Sequence, residues 1–375
     1  MKNRRCLLEH TLRVLLPVVI LMGIITGSCQ VKRTQIKASN DVTYVKAKVI
    51  EVLEDYSGGK PYGGVQKVSA KITSGEFKGQ ICELENSNTY QRGAYCVTGT
   101  KVIAMVKNID GTVTGSVYNY DRNMMVYILL GMFSLCIILV GGKKGMAALY
   151  ALVFTFVCII FMYIPLLYIG INGIIAALLT SMVILAISIY ILNGWSSKTL
   201  CAIVGTTSGV IISGGLAMII GKLSNLSGYN ISDVESMIYI AYNSKLRVSY
   251  ILYAGILISS LGAVMDVSVS IVAAMTEIHQ KAPDLIAKDL FMSGMHVGHD
   301  MMGTMSNTLI LAYTGSATGT LLTMYAYEMP FLQIMGYSSI IIEIVCGLCG
   351  TMGVILTVPI QAFITTVALK TKHFS

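Results

Sequence analysis

The sequence predicts an α-helical polytopic membrane protein of about eight transmembrane helices, with a small all-β domain, an OB-like barrel, inserted after the first helix. Three observations carry that prediction. Mean hydropathy is +0.70 and 12% of residues are charged, where a soluble domain has about a quarter. Apolar runs long enough to span a bilayer recur from Met124 almost to the C-terminus. Between residues 30 and 122 those runs vanish, charges return, and short β-branched segments alternate with glycine-rich turns.

The formal net charge of +8 raises nucleic-acid binding as a function class. The basic residues, however, are scattered at loop ends and form no Arg/Lys stripe with interleaved aromatics, so nucleic acid is not expected as a partner. Their placement suits orientation of spans and contact with anionic membrane lipid.

Residues 1–29 read as a basic segment followed by a membrane anchor. Lys2, Arg4, Arg5 and Arg13 lead into an apolar run from Leu12 to Ser28, near the lower length limit for a span. The run ends in Gly27-Ser28-Cys29, so a cleaved leader is the competing reading. Thr26 fits a lipoprotein-type cleavage site poorly, and an uncleaved anchor with its basic end in the cytoplasm is preferred.

Residues 30–122 then fall outside the cytoplasm. Val45–Leu53, Val68–Thr73, Gln80–Leu84, Val102–Val106 and Thr112–Tyr118 read as strands, with SGGKPYGG and NIDG as turns, and a small barrel is the natural closure for them. The fold class names no ligand, but such a domain is a place for a protein partner. Cys82 and Cys96 become candidates for a disulfide if the domain faces an oxidising compartment.

From residue 123 to 375 the chain reads as the multi-span domain, with spans at 124–141, 146–165, 172–193, 199–220, 249–274, 301–324 and 340–369. Lys143, Lys144, Lys198, Lys370 and Lys372 then all fall on the cytoplasmic side, with both termini. Lys245 and Arg247, near Asp233 and Glu235, fall outside and mildly oppose the rule. The connector near 275–300 mixes charged and apolar residues as an amphipathic interfacial helix begun at Pro283 would. Glu328-Met329-Pro330 and FLQIMGYSS are irregular enough to suggest a partly inserted segment.

The candidate site lies in FMSGMHVGHDMMGTMSNTLILAYTG, residues 291–315. On a helix of about 3.6 residues per turn, His296, Asp300, Gly303, Asn307 and Thr314 share a stripe roughly 60° wide, with His299 and Thr304 close by. An ionisable residue at membrane depth is by default a functional-site hypothesis, expected to face a bundle interior or a wet cavity. In the preceding span Ser259, Gly262, Asp266, Ser270, Ala273 and Glu277 form a second small-or-polar stripe, and Glu343, Gly347 and Gly350 a third in the last span. Gly205, Gly209 and Ser213 give another helix a small face. Gly303, Gly262, Gly205, Gly209, Gly347 and Gly350 are therefore expected to let helices meet, with Asp266, Asp300 and Glu343 around a polar path.

GAVMDVSVSIVAAMTE at 262–277 and MSGMHVGHDMMGTMSNTLILAYTG at 292–315 resemble the YibE/F-like family of bacterial multi-pass membrane proteins. The resemblance implies a membrane-anchored extracytoplasmic domain joined to a bundle of spans in the bacterial cell membrane. His299 stands where the family pattern has a basic residue, commonly Arg, in a Gly-Arg-Asp run. A role needing permanent positive charge therefore does not transfer, since His titrates near physiological pH. The activity has to be argued from the residues.

That argument favours an ion-coupled transporter or permease for an ion or small solute. A carboxylate in low dielectric holds its proton to higher pH and can exchange it near neutrality, while Asn307 and Thr304 offer neutral oxygens to a cation. The G-x-x-x-x-G-K-[ST] pattern for phosphate binding is absent, so a gradient is the expected energy source, and no cofactor is called for. The alternatives are a non-transporting scaffold or subunit of a membrane assembly, and then an intramembrane enzyme. Soft ligation of Cu(I) by Met292, Met295, Met301, Met302, Met305, His296 and His299 competes with the ordinary use of Met as gap-filler. Cys346 and Cys349 match C-x-x-C inside an apolar helix and read as buried thiols. His296 and His299 with Asp300 lack the HExxH spacing of a zinc hydrolase, and Ser306 lacks a nucleophile turn.

Overall fold

The computed structural model describes the chain except residues 1, 32–41, 57, 59–62, 90–92, 110–111, 232–233 and 372–375, and the side chains of residues 2–14, 88 and 109. Most of the SGGKPYGG turn, the Asp110-Gly111 pair, Asp233, Lys372 and the basic side chains before Arg13, with Arg13 itself, lie outside the described residues. The chain forms two compact units, Gln35–Cys136, and Met1–Thr34 with Ile137–Ser375.

The first unit holds a closed barrel of five strands, β1 (Thr43–Asp55), β2 (Gly64–Ile72), β3 (Ile81–Asn88), β4 (Lys101–Ile109) and β5 (Thr112–Tyr120), in the order β1-β2-β3-β5-β4. Every neighbouring pair is antiparallel except β3 with β5, which meet in parallel over Leu84–Gly115 and Glu85–Ser116. Period-two alternation makes the core: Val45, Ala47 and Val49, Val68, Ala70 and Ile72, and Val102, Ala104 and Val106 all point inward. Gly115 has no room for a side chain, since a methyl there would strike the Met105 carbonyl on β4.

A buried amide network closes one part of this core. Gln66 and Asn86 are fully buried, and their amides bind the segment 93–97: Cys96 N donates to Gln66 Oε1 at 2.8 Å, Gln66 Nε2 donates to the Cys96 carbonyl at 3.2 Å, and Asn86 Nδ2 donates to Gln66 Oε1 at 3.0 Å. Two polar side chains are tolerated here because each finds partners. Cys82 and Cys96 do not form the expected disulfide. Both are free thiols, one donating to the Ala70 carbonyl at 3.7 Å and the other to the Ala94 carbonyl at 3.3 Å. Burial pushes the Cys82 thiol up and the Cys96 thiol up to about 11.

The second unit is helical. α1 (Lys2–Gln30) is followed, after the barrel, by α2 (Asn123–Cys158), whose residues up to Cys136 belong to the first unit, then by a π-helical turn at Ile159–Tyr163 and α3 (Ile164–Tyr168). Then come α4 (Gly173–Asn193), α5 (Ser197–Leu223), α6 (Val234–Asn243), α7 (Ile251–Lys281), α8 (Ala287–Ser316), α9 (Thr318–Ala326), α10 (Phe331–Met335) and α11 (Ser338–Lys370). Asn172 and Ser196 cap α4 and α5, accepting from Ile174 N and Thr199 N. Gly142 breaks α2 with φ 54° and ψ −129°, and a methyl on Gly145 would strike the Ile137 carbonyl. Eight residues of unbroken helix would separate those positions by about 12 Å, so the chain turns back at Gly142.

Five helical stretches among the described residues are long and apolar enough to cross a membrane, against about eight expected: Asn123–Tyr168, Gly173–Asn193, Ser197–Leu223, Val248–Lys281 and Ser338–Lys370. Three things make up the difference. The expected spans 124–141 and 146–165 share one helical stretch, turned at Gly142. Of α1, only Leu15–Gln30 lies among the residues whose side chains are described, and that part is apolar but shorter than a span. α8 is 30 residues long but too rich in His, Asp, Asn and Thr to qualify. The amphipathic connector expected near 275–300 is not a separate element: α7 runs to Lys281, and α8, begun at Ala287, carries straight into the His/Asp stripe.

α11 lies at the centre of the bundle, packed on α5, α7 and α8. Small residues set these contacts. A methyl on Gly205 would strike Gln361, one on Gly209 would strike Thr357, and one on Gly298 would strike Val358. The helix ends sort into two groups. At one, Gly170 and Gly173 meet Lys245 and Tyr250, Tyr253 Oη donates to the Leu226 carbonyl at 2.6 Å, and Asn230 reaches Ser338 at 3.5 Å. Tyr229, Tyr239, Tyr242, Tyr325, Tyr327 and Tyr337 are exposed near it, as tyrosines at a membrane–water boundary are. At the other end Lys370 Nζ donates to the Pro283 carbonyl at 3.2 Å, and Lys198 shares a cleft with Glu277 and Lys281.

Two expectations follow. The Cys82 and Cys96 thiols should resist alkylation at pH 7.5 in the folded protein and react in denaturant; a mass showing them bonded to each other would overturn the free-thiol assignment. Because the folded state holds the Cys96 proton to about 11 while an unfolded thiol loses it near about 8.5, the barrel's stability should be full below pH 8.5 and fall as pH rises towards 11. In the bundle, Gly209→Val should cost about 1–3 kcal/mol or more through overpacking, whereas Gly262→Ala, whose methyl meets nothing within 4 Å, should be neutral or slightly stabilising; thermal unfolding in detergent reads both.

Candidate functional site

α8 packs antiparallel to both α7 and α11. Its buried side is set by glycines: a methyl on Gly294 would lie 2.5 Å from Met275 Sδ on α7 and 3.1 Å from Ala362 Cβ on α11. Further along, Leu309 faces Gly350, and Tyr313 faces Gly347 and donates to Ser259 Oγ on α7 at 2.5 Å. Residues 294–313 thus run beside the middle of two membrane-length helices. Met295, Met301, Met302 and Met305 pack on the core from this side.

The opposite side of α8 carries the candidate residues, and nothing in the described chain covers it. His296, His299, Asp300, Gly303, Thr304, Asn307 and Thr314 are all exposed. On α7, Ser259, Gly262, Asp266, Ala273 and Glu277 form an exposed stripe too. Interpolating between the Gly294–Met275 and Tyr313–Ser259 contacts sets Asp266 level with Thr304, about one helical turn from Asp300. Neither carboxylate has an ion-pair or hydrogen-bond partner among the described residues.

This corrects the expected geometry. The stripes of α7 and α8 do not face the interior of a single-chain bundle; they lie on its exterior. Gly303 and Gly262 are not used for packing within the chain, since a methyl on either meets nothing within 4 Å. Gly347 and Gly350 have ordinary van der Waals clearance, with nearest neighbours at 3.6 Å. Glu343 stands apart from the two aspartates, in a cleft of 290 Å³ with Tyr313, Thr314, Ala317 and Ile340 between α8, α9 and α11.

The metal readings find no assembled site. No group of three or more His, Cys, Asp or Glu occurs in metal-binding proximity among the described residues, and Met295, Met301, Met302 and Met305 face the core while Met292, His296 and His299 are exposed. Cys346 and Cys349 are buried free thiols in α11. Ser306 Oγ is buried with no hydrogen-bond partner, away from the stripe.

The sequence reading missed one polar feature. Gln361 is fully buried in α11, where its Nε2 donates to the Cys201 carbonyl at 3.2 Å and to Thr365 Oγ1 at 3.0 Å, beside Gly205. Its Oε1 has no partner, and neither has the buried Ser268 Oγ. A glutamine inside a long apolar run was the available signal, but its partner helix is 160 positions away in the chain.

No curated protein and no solved structure matches the chain. A family model described as YibE/F-like protein matches residues 129–371, roughly two thirds of the sequence, beginning after the barrel and including both aspartate-bearing helices. The chain belongs to the YibE/F-like family of membrane proteins.

Proposed function

We propose that this protein is an ion-coupled transporter or permease of the bacterial cell membrane, in which Asp300 and Asp266 bind the coupling proton or cation. One observation carries the reading: two carboxylates without partners lie about one turn apart in depth on neighbouring antiparallel helices, at a level where lipid offers them nothing. Leaving an Asp at the centre of a span costs about 2.5–3.5 kcal/mol, which is hard to reconcile with a purely structural residue that holds no partner. Thr304 and Asn307 supply neutral oxygens along the same face, and His296 and His299 supply groups able to pass a proton to Asp300. Glu343, in its own cleft at the tyrosine-rich end, serves entry or release.

The end holding Lys198, Lys281 and Lys370 is taken as cytoplasmic, which gives cytoplasmic termini and an extracytoplasmic residue 30–122 domain. The strand order with its parallel β3–β5 contact supports an OB-like barrel. Its cleft beside β3 and β5, lined by Lys67, Glu83, Glu85 and Lys107, is where a protein partner would rest. Neither cofactor nor nucleic acid enters the reading, and the protein is not an enzyme.

A second reading, a non-transporting subunit of a membrane assembly, draws on the outward direction of the same stripe.

Flux in proteoliposomes under imposed pH and voltage gradients, across a panel of monovalent and divalent cations, separates the two. Asp300→Asn and Asp266→Asn should each cut flux about tenfold or more, equivalent to about 1.4 kcal/mol, while leaving insertion and folding intact. Unchanged flux in both variants, or none from folded wild-type protein across the panel, would move the weight to the assembly reading.

A further inference from the structure

The exposed residues of α8 follow a second pattern beyond polarity. His296, Asp300, Gly303, Asn307, Ile310 and Thr314 are spaced 4-3-4-3-4, and all six are exposed. That spacing keeps one seam in register along a helix pair crossing at about 20°, as in a left-handed coiled coil. A seam of this kind needs a second helix, and no described helix of this chain occupies it from His296 to Asn307; Ile310 and Thr314, at its far end, border the cleft with α9 and α11. Residues 124–140, also largely exposed, carry no charged residue, imidazole or amide and offer the imidazoles and carboxylate no partner.

We infer that α8 pairs with α8 of a second copy of this chain, about a two-fold axis along the membrane normal, and that the candidate site is completed only in this dimer. The face is complementary to itself. His296, His299 and Asp300 lie within about one turn, so in a parallel pair each copy's imidazoles stand at the depth of the other's carboxylate. Asn307 carries both donors and an acceptor and can pair with its symmetry mate, as a polar seam residue does when it specifies register. Gly303, between them, projects nothing and lets the two backbones approach. A partner of another kind would have to bring a carboxylate to the imidazoles, an imidazole to the carboxylate and an amide to the amide at matching depths, which is what an isologous contact supplies by symmetry. The inference stands apart from the transport proposal, since the cost of exposing this face to lipid is the same whether or not anything is moved.

Cysteine cross-linking in native membranes tests it, with Cys6 and the exposed Cys29 and Cys136 replaced by Ser so that the native cysteines remaining are the buried ones. Gly303→Cys and Ile310→Cys should each give a disulfide-linked species of twice the chain mass under mild oxidation. Thr308→Cys, exposed but off the seam, should not. Equal cross-linking at all three positions, none at any, or adducts with a different protein would overturn the pairing. Gly303→Ile should abolish dimer in detergent or nanodiscs while the monomer stays folded, because a methyl at that position meets nothing within 4 Å; a persistent dimer there would also overturn it. Cross-linking without flux leaves the dimer standing and removes transport, whereas flux from isolated monomers in nanodiscs does the reverse.

Discussion

Lipid cannot satisfy a polar group, and the helical unit is organised by that constraint. The backbone meets it by helix formation. Side chains meet it locally where they can: Thr206, Thr351, Thr357 and Thr366 each donate to the carbonyl four residues earlier, folding their hydroxyls onto their own helix. Ser213 reaches further, to Ser260 on α7 and the Cys349 carbonyl on α11, and so ties three helices together. Against that background the aspartates, histidines and asparagine exposed on α7 and α8 stand out: unlike the buried Ser268 hydroxyl and Gln361 Oε1, which also lack a partner among the described residues, they face outward.

Close approach of α5, α7 and α11 makes the scaffold rigid enough to present such a face. Glycines at 205, 209, 214 and 298 bring neighbouring side chains against backbone, where dispersion contacts and short interhelical hydrogen bonds replace the hydrophobic drive that lipid does not supply. The same residue type plays the opposite part at Gly262 and Gly303, where the missing side chain leaves open space. Glycine in a helix thus marks close approach in the first group and open space in the second.

The barrel follows the rules of water. Its core is built by period-two alternation, its polar interior groups are paired with one another, and its Lys67–Glu83 bridge at 3.0 Å lies on the surface, where its contribution is small. The Gln66–Asn86–Cys96 network holds the free Cys96 thiol inside this core. The Cys96 backbone is pinned by amides and its sulfur is held among donors and acceptors inside the core.

Composition alone determined that this is a membrane protein, and the return of charge over residues 30–122 determined that a small β domain interrupts it, because hydropathy and alternation are local properties of the chain. The blocks at 262–277 and 292–315 were enough for the family. The sequence also located Asp266, Asp300 and Asn307 on narrow helical stripes, since angular position on a helix follows from spacing. It could not show which way those stripes face. Direction depends on which neighbours occupy the other sides of α7 and α8, and those neighbours, Gly350, Val358 and Ala362 of α11, come from a segment that only the folded chain brings to α8. The state of Cys82 and Cys96, the burial of Gln361 against Gly205, and the merging of connector and span into one α8 are likewise tertiary decisions, made by contacts between residues far apart in sequence.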